Sequence, residues 1–192
     1  MTNLQKANDY SKKLFSVNWV KWIHDGTKPA ENNLEKTANV LLGLFSKHCA
    51  MCLNLNGCCF VKNNCPTQPL HPNCHCRTTP ISSISPTTIC PIEKIRDYVF
   101  SDTKNNGKKD LFESWGYSIM DSEKIKNEIE KQAKVAYSIG EYTLGKLNDY
   151  GQRISILTKL TRKNNNEKVS FYSGWMVYPN GKLILTTPYG AK

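Results

Sequence analysis

Between Cys49 and Cys76 the chain carries seven of its eight cysteines and two of its four histidines. A stretch so dense in sulfur and imidazole, and without apolar periodicity, folds around a cross-link or an ion rather than around side-chain packing of its own. Cys49 and Cys52 form a Cys-x-x-Cys knuckle. The run His71-Pro-Asn-Cys74-His75-Cys76 follows after a loop of about twenty residues, a separation that can bring four thiolate or imidazole ligands to tetrahedral spacing. The N-terminus MTNLQKANDYSKK is polar, with no signal-peptide pattern, and no apolar run approaches the ~18–20 residues that span a bilayer. The expectation is therefore a reducing setting, bacterial cytoplasm or a phage particle, in which clustered cysteines are metal ligands rather than disulfides. One structural zinc is expected on Cys49, Cys52, Cys74 and Cys76, with His71 replacing one of the last pair as the alternative. Cys58, Cys59, Cys65 and Cys90 are further candidates. No βαβ pattern surrounds the knuckle to favour a redox role. A closed four-ligand site leaves no position for substrate, so it contributes folding energy and not chemistry.

Around this cluster the periodicity predicts an α+β protein. Apolar positions in residues 4–23 and again in Glu31–Ser46 recur at helical spacing, the second helix delivering Cys49 and Cys52. Residues 49–80 read as loop, and the uncharged Ser/Thr/Pro-rich stretch 78–91 as a linker or extended connection. This gives a helical zinc-binding region at 1–80, a linker at 81–92 and a second domain at 93–192. In the latter, helices are predicted at Ile92–Phe100, Lys108–Trp115 and Ser122–Tyr137, the last behind an Asp121-Ser122 cap. Strands follow at Glu141–Leu147, Gln152–Thr161, Lys168–Tyr178 and Lys182–Thr187, with Asn180-Gly181 the strongest hairpin signal. Helices followed by a meander predict a four-stranded antiparallel sheet.

A formal charge of +10 favours a polyanionic partner, nucleic acid first and an acidic membrane surface second. Residues 93–192 contain neither histidine nor cysteine, which argues against a protease triad, a histidine nuclease or a transition-metal active site there. RNA cleavage remains open to such a set, because the substrate's own 2′-hydroxyl is the nucleophile and cationic side chains can stabilise the phosphorane. Arg153, Trp175, Tyr178 and Tyr189 lie on or beside predicted strands, where a cation can meet phosphate and a ring can stack on a base. Read as plain structure, Trp175 is strand core, Arg153 a solvated strand residue and Lys109 a helix-surface lysine.

Two resemblances extend these readings. The helix ending in Cys-x-x-Cys, the Gly-containing loop and "PLHPNCHC" resemble the C-terminal cysteine/histidine segment of Mu F-like phage head morphogenesis proteins over about residues 30–80, without the long helical region that precedes it there. "EKIRDYVF", "NGKKDLFESWGY", "YGQRISI", "FYSGWMVYP" and "LILTTPYG" look like a small domain that closes some phage head proteins and polymorphic toxins, similar in layout to the barnase, EndoU, colicin and RelE (BECR-like) ribonuclease folds. That resemblance implies catalytic roles for Lys109, Arg153, Thr186 and Tyr189 and nucleic-acid contacts at Tyr150, Trp175 and Thr187, with Gly151 between Tyr150 and Arg153. It implies a toxin-type, metal-independent ribonuclease acting on RNA such as tRNA, with phage structural proteins as candidate partners. For a toxin the +10 charge adds the expectation of an acidic immunity protein, and the absence of a long apolar run that of no membrane. The alternative is a non-catalytic nucleic-acid-binding or phage head assembly module.

Overall fold

The computed structural model describes residues 3–24, 50–70, 74, 76–103 and 106–190. The helix expected at Glu31–Ser46 lies outside them. Among the described residues no helix is long and apolar enough to cross a membrane.

Helix α1 (Asn3–Ser16) stops short of the predicted 4–23 helix, and the chain continues as strand β1 (Trp19–His24). The local reason is composition: Val17, Trp19, Val20 and Trp22 are β-branched or aromatic residues that pack better on a pleated surface than along a helix. The decisive reason is non-local. β1 is the middle strand of a three-stranded antiparallel sheet, flanked by β2 (Cys59–Val61) and β3 (Cys76–Ile81). Trp19 pairs with Val61 on one side, and Trp22 with Thr78 and His24 with Cys76 on the other. Helix α2 (Ala50–Leu55) leads into β2. The segment expected as loop thus holds a helix and two strands, and the N-terminal region expected to be helical is built on a sheet.

The second sheet has five strands in the order β4-β8-β7-β6-β5, not the four expected. Strands β5 (Thr143–Asn148), β6 (Gly151–Thr161), β7 (Lys168–Tyr178) and β8 (Lys182–Gly190) form the antiparallel meander. Asn180 and Gly181 turn β7 into β8 with φ of 59° and 75°, the doubly left-handed geometry that an Asn-Gly hairpin supplies. The extra strand β4 (Thr87–Ile89) comes from the stretch expected as linker and pairs in parallel with β8, Thr88 against Leu183. Its Thr-Thr-Ile run is good strand chemistry, and three residues of it were too short to show as a period in the sequence.

Helix α3 (Lys108–Ser114) and helix α4 (Ser122–Ser138) cover one face of this sheet, with a π-helix at Lys94–Val99 beside them. The buried stripe of α4 is Ile125, Ile129, Ala133 and Tyr137, each four residues from the last. Phe112 of α3 meets Phe171 of β7 edge-on at 5.5 Å. β4 is held to α4 by Glu130, whose carboxylate accepts from the Cys90 backbone N–H at 2.7 Å and whose carbonyl accepts from Thr88 Oγ1 at 3.1 Å.

The two sheets share one continuous core, running from Trp19, Trp22 and Phe60 to Ile154, Phe171 and Trp175. The Trp19 and Tyr137 rings meet edge-on at 5.3 Å, and the Tyr137 hydroxyl donates to the Cys59 carbonyl. The Tyr142 hydroxyl donates to the Asn64 carbonyl at 2.8 Å and accepts from the Val61 N–H at 3.0 Å. Shared packing of this kind couples the stabilities of the two sheets. Urea unfolding should therefore be one transition, coincident by tryptophan fluorescence and far-UV circular dichroism, and Tyr137→Ala should lower the stability of the whole by about 3–5 kcal/mol. Two separable transitions would contradict the shared core.

Candidate metal centre and the open sheet face

The antiparallel register of β1 and β3 sets His24 directly opposite Cys76, and their Nδ1 and Sγ atoms lie 3.4 Å apart. From the other side α2 presents Cys52, so that one ligand atom from each of His24, Cys52 and Cys76 lies within 4.8 Å of the others. Cys74, two residues before Cys76 at the entry to β3, has its sulfur 3.8 Å from that of Cys52. Tetrahedral zinc with Zn–S bonds of about 2.3 Å and Zn–N bonds of about 2.0–2.1 Å requires sulfurs roughly 3.8 Å apart and a sulfur–nitrogen separation of roughly 3.5 Å. The two separations agree with that requirement, and a sulfur pair at 3.8 Å is far from a disulfide bond.

Protonation chemistry sets Cys74 apart. Burial pushes the Cys74 thiol up, but hydrogen bonds from the backbone N–H groups of Cys76 and Leu70, and from the Cys76 and Cys52 side chains, outweigh it and bring the pKa down to about 7. Burial raises Cys76, opposed by Trp22 and Cys52 and reinforced by the neighbouring Cys74. The Trp22 indole N–H is buried without a full hydrogen bond, yet lies near enough to the Cys76 sulfur to favour its thiolate. By contrast, burial holds Cys58 and Cys90 up at about 12, the charge of Cys59 adding to the first and that of Glu130 to the second. Burial also raises Cys59 and Cys65. Cys58 is further tied down by its contacts with the Asn54 and Val177 carbonyls. These four behave as core thiols, and thiolate is what a metal needs.

Of the ligands expected from the sequence, the structure gathers Cys52, Cys74 and Cys76; Cys49 and His71 lie outside the described residues. His24 was missed. Its only trace in the sequence is its position at the end of Trp-Val-Lys-Trp-Ile-His, a strand-like run that can align antiparallel with Cys76–Ile81.

The candidate residues of the C-terminal half divide between the two faces of the large sheet. Ile154, Ile156, Phe171 and Trp175 face the helices and are buried. The alternate positions form an open face, on which Arg153 stands across from Met176, Ser155 from Gly174 and then Thr187, and Leu157 from Tyr172 and then Tyr189. The register therefore aligns the positions of Arg153, Thr187 and Tyr189 on one face, with Arg153, Leu157 and Tyr172 exposed. Trp175 is on the opposite face, its indole N–H donating to Ser173 Oγ at 2.8 Å, so its ring offers no stacking surface. Thr186 occupies a bulge and donates to the Gly174 carbonyl at 2.8 Å. Tyr150 is 79% exposed in the β5–β6 turn. Lys109 forms an ion pair with Asp102, whose hydrogen bond and charge raise the lysine pKa. It sits on α3, which packs on the helix-covered face through Phe112, and so is not brought to Arg153.

Elemental analysis of protein purified without chelator should find about one metal ion per chain, and His24→Ala or Cys76→Ser should lose most of it, as removing a ligand predicts. Cys90→Ser, at a thiol buried away from the cluster, should retain the metal. Comparison with known protein families, with characterised proteins and with solved structures finds no match to this chain.

Proposed function

We propose that the chain holds one structural zinc on His24, Cys52, Cys74 and Cys76, and that the open face of its large sheet acts on RNA as a toxin-type ribonuclease needing no catalytic metal. The zinc reading is supported by the two ligand separations, which join Cys76 to His24 and Cys74 to Cys52, and by the mutual closeness of His24, Cys52 and Cys76. When bound, the ion would cross-link β1, α2 and β3 and so fix the N-terminal lobe.

The observation that carries the RNA reading is the register that aligns Arg153, Thr187 and Tyr189 on one open face of a chain with charge +10. A guanidinium there can bind the scissile phosphate and stabilise charge as the 2′-oxygen attacks, which needs no nucleophile from the protein. The Thr187 hydroxyl on β8 suits the task of orienting the 2′-hydroxyl or the leaving oxygen. An acidic immunity protein is the partner that such a basic surface would attract.

A second reading is binding without cleavage, and one observation favours it: Lys109, the lysine expected to be catalytic, is engaged with Asp102. Incubation with total tRNA in magnesium-free buffer separates the two. The parent chain should cut tRNA, and Arg153→Ala should slow cleavage by about 10²–10³, the usual loss for one transition-state charge contact. Intact tRNA with the parent would leave the binding reading.

A further inference from the structure

Beyond the open face, a cleft of about 1100 Å³ lies between α4, the start of α1 and the far end of the β6–β7 hairpin. Its walls carry six cations: Lys6, Lys124, Lys159, Arg162, Lys163 and Lys168, against a single carboxylate, Glu128. Two of the cations are partly neutralised, Lys163 by Asp121 at 3.0 Å and Arg162 by Glu167 at 3.7 Å. Lys6, Lys124 and Lys159 have no ion-pair partner among the described residues. Arg162 Nε is a buried donor without an acceptor, a group that an incoming oxygen would satisfy.

The cleft runs along a free strand edge, since β5 pairs with β6 only as far as Ser155. Side chains close the rest of that edge. The Gln132 amide donates to the Lys159 carbonyl at 2.6 Å and accepts from its N–H at 2.8 Å, and the Tyr117 hydroxyl donates to the Thr161 carbonyl at 2.6 Å. An extended peptide could not add there as a further strand without displacing them, so the edge disfavours peptide pairing. A ligand held by charge alone meets no such obstacle. Lys159 also belongs to the open face, six positions along β6 from Arg153, or about 20 Å at ~3.4 Å per residue.

We infer that this cleft binds the phosphodiester backbone of the RNA strand on which Arg153 acts, gripping phosphates and not bases. The inference rests on the RNA reading of the open face and adds where the strand is held. Tyr117, the ring in the cleft, is buried, so the grip is sequence-independent.

The test uses 2′-O-methyl RNA of about 16 nucleotides, long enough to span a single-strand site and blocked at the attacking oxygen, so that binding is read apart from cleavage. Fluorescence anisotropy against salt should show Lys124→Ala/Lys159→Ala/Lys168→Ala weakening affinity at least tenfold and flattening the salt slope by about 2, near 0.7 per lost phosphate contact. Lys12→Ala/Lys94→Ala/Lys134→Ala removes equal charge outside the cleft and the open face and should change affinity less than threefold. Circular dichroism matching the parent confirms that both variants are folded. Equal losses in the two triple variants, or no loss in the first, would overturn the cleft, as would poly-glutamate binding as tightly as RNA at the same salt. If the cleft variant loses binding while the parent leaves tRNA uncut, the cleft stands and the ribonuclease reading falls. If the cleft variant binds and cuts like the parent, the reverse holds.

Discussion

The structure depends on where β1 sits. As the middle strand of the small sheet it receives β2 on one edge and β3 on the other, and it buries Trp19, Val20 and Trp22. The pairing with β3 carries Cys76 to His24, while the Trp19–Tyr137 contact carries the small sheet onto α4. One strand therefore assembles the candidate metal site and joins it to the large sheet. Were β1 to remain helical, neither sheet would have this neighbour and the cysteines would have no common frame.

That arrangement explains how a lobe so rich in Asn and Cys can be ordered. Its core is continuous with that of the large sheet, and a group of His24, Cys52 and Cys76 that could hold a metal ion stands between its elements. The large sheet in turn keeps one face free. Its helices cover Ile154, Phe171 and Trp175, leaving Arg153, Leu157, Lys159 and Tyr172 outside. Chemistry and packing are thus separated by the period-two alternation of the strands. The basic cleft lies where that open face meets the end of α4, at an edge sealed by Gln132 and Tyr117.

Much of this was legible beforehand wherever a local signal was strong. The α4 stripe, the Asn180-Gly181 hairpin and the long alternating strands β6 and β7 each declare themselves within one window, because helix and hairpin geometry are determined by neighbouring residues. Cys52 and Cys76 were legible as candidate metal ligands for the same reason, through the short spacings around them. What escaped were features made by partners distant in the chain. β1 looked helical because its apolar residues also fit a helical period, and β4 looked like linker because three residues show no period. Trp175 could be read as a stacking platform or as core, and only its register opposite Ile154 decides for core.

By itself, then, the sequence determined the chemistry available: a thiol and imidazole cluster at one end, a basic and aromatic half without histidine or cysteine at the other, and the elements whose period is local. The tertiary structure decided which of these groups meet. It chose His24 as the partner of Cys76, separated Lys109 from Arg153, turned a linker into an edge strand and collected lysines from α1, α4 and two strands into one cleft. The physical reason is that such contacts close long loops, and their free energy depends on every element between the contacting residues rather than on the residues alone.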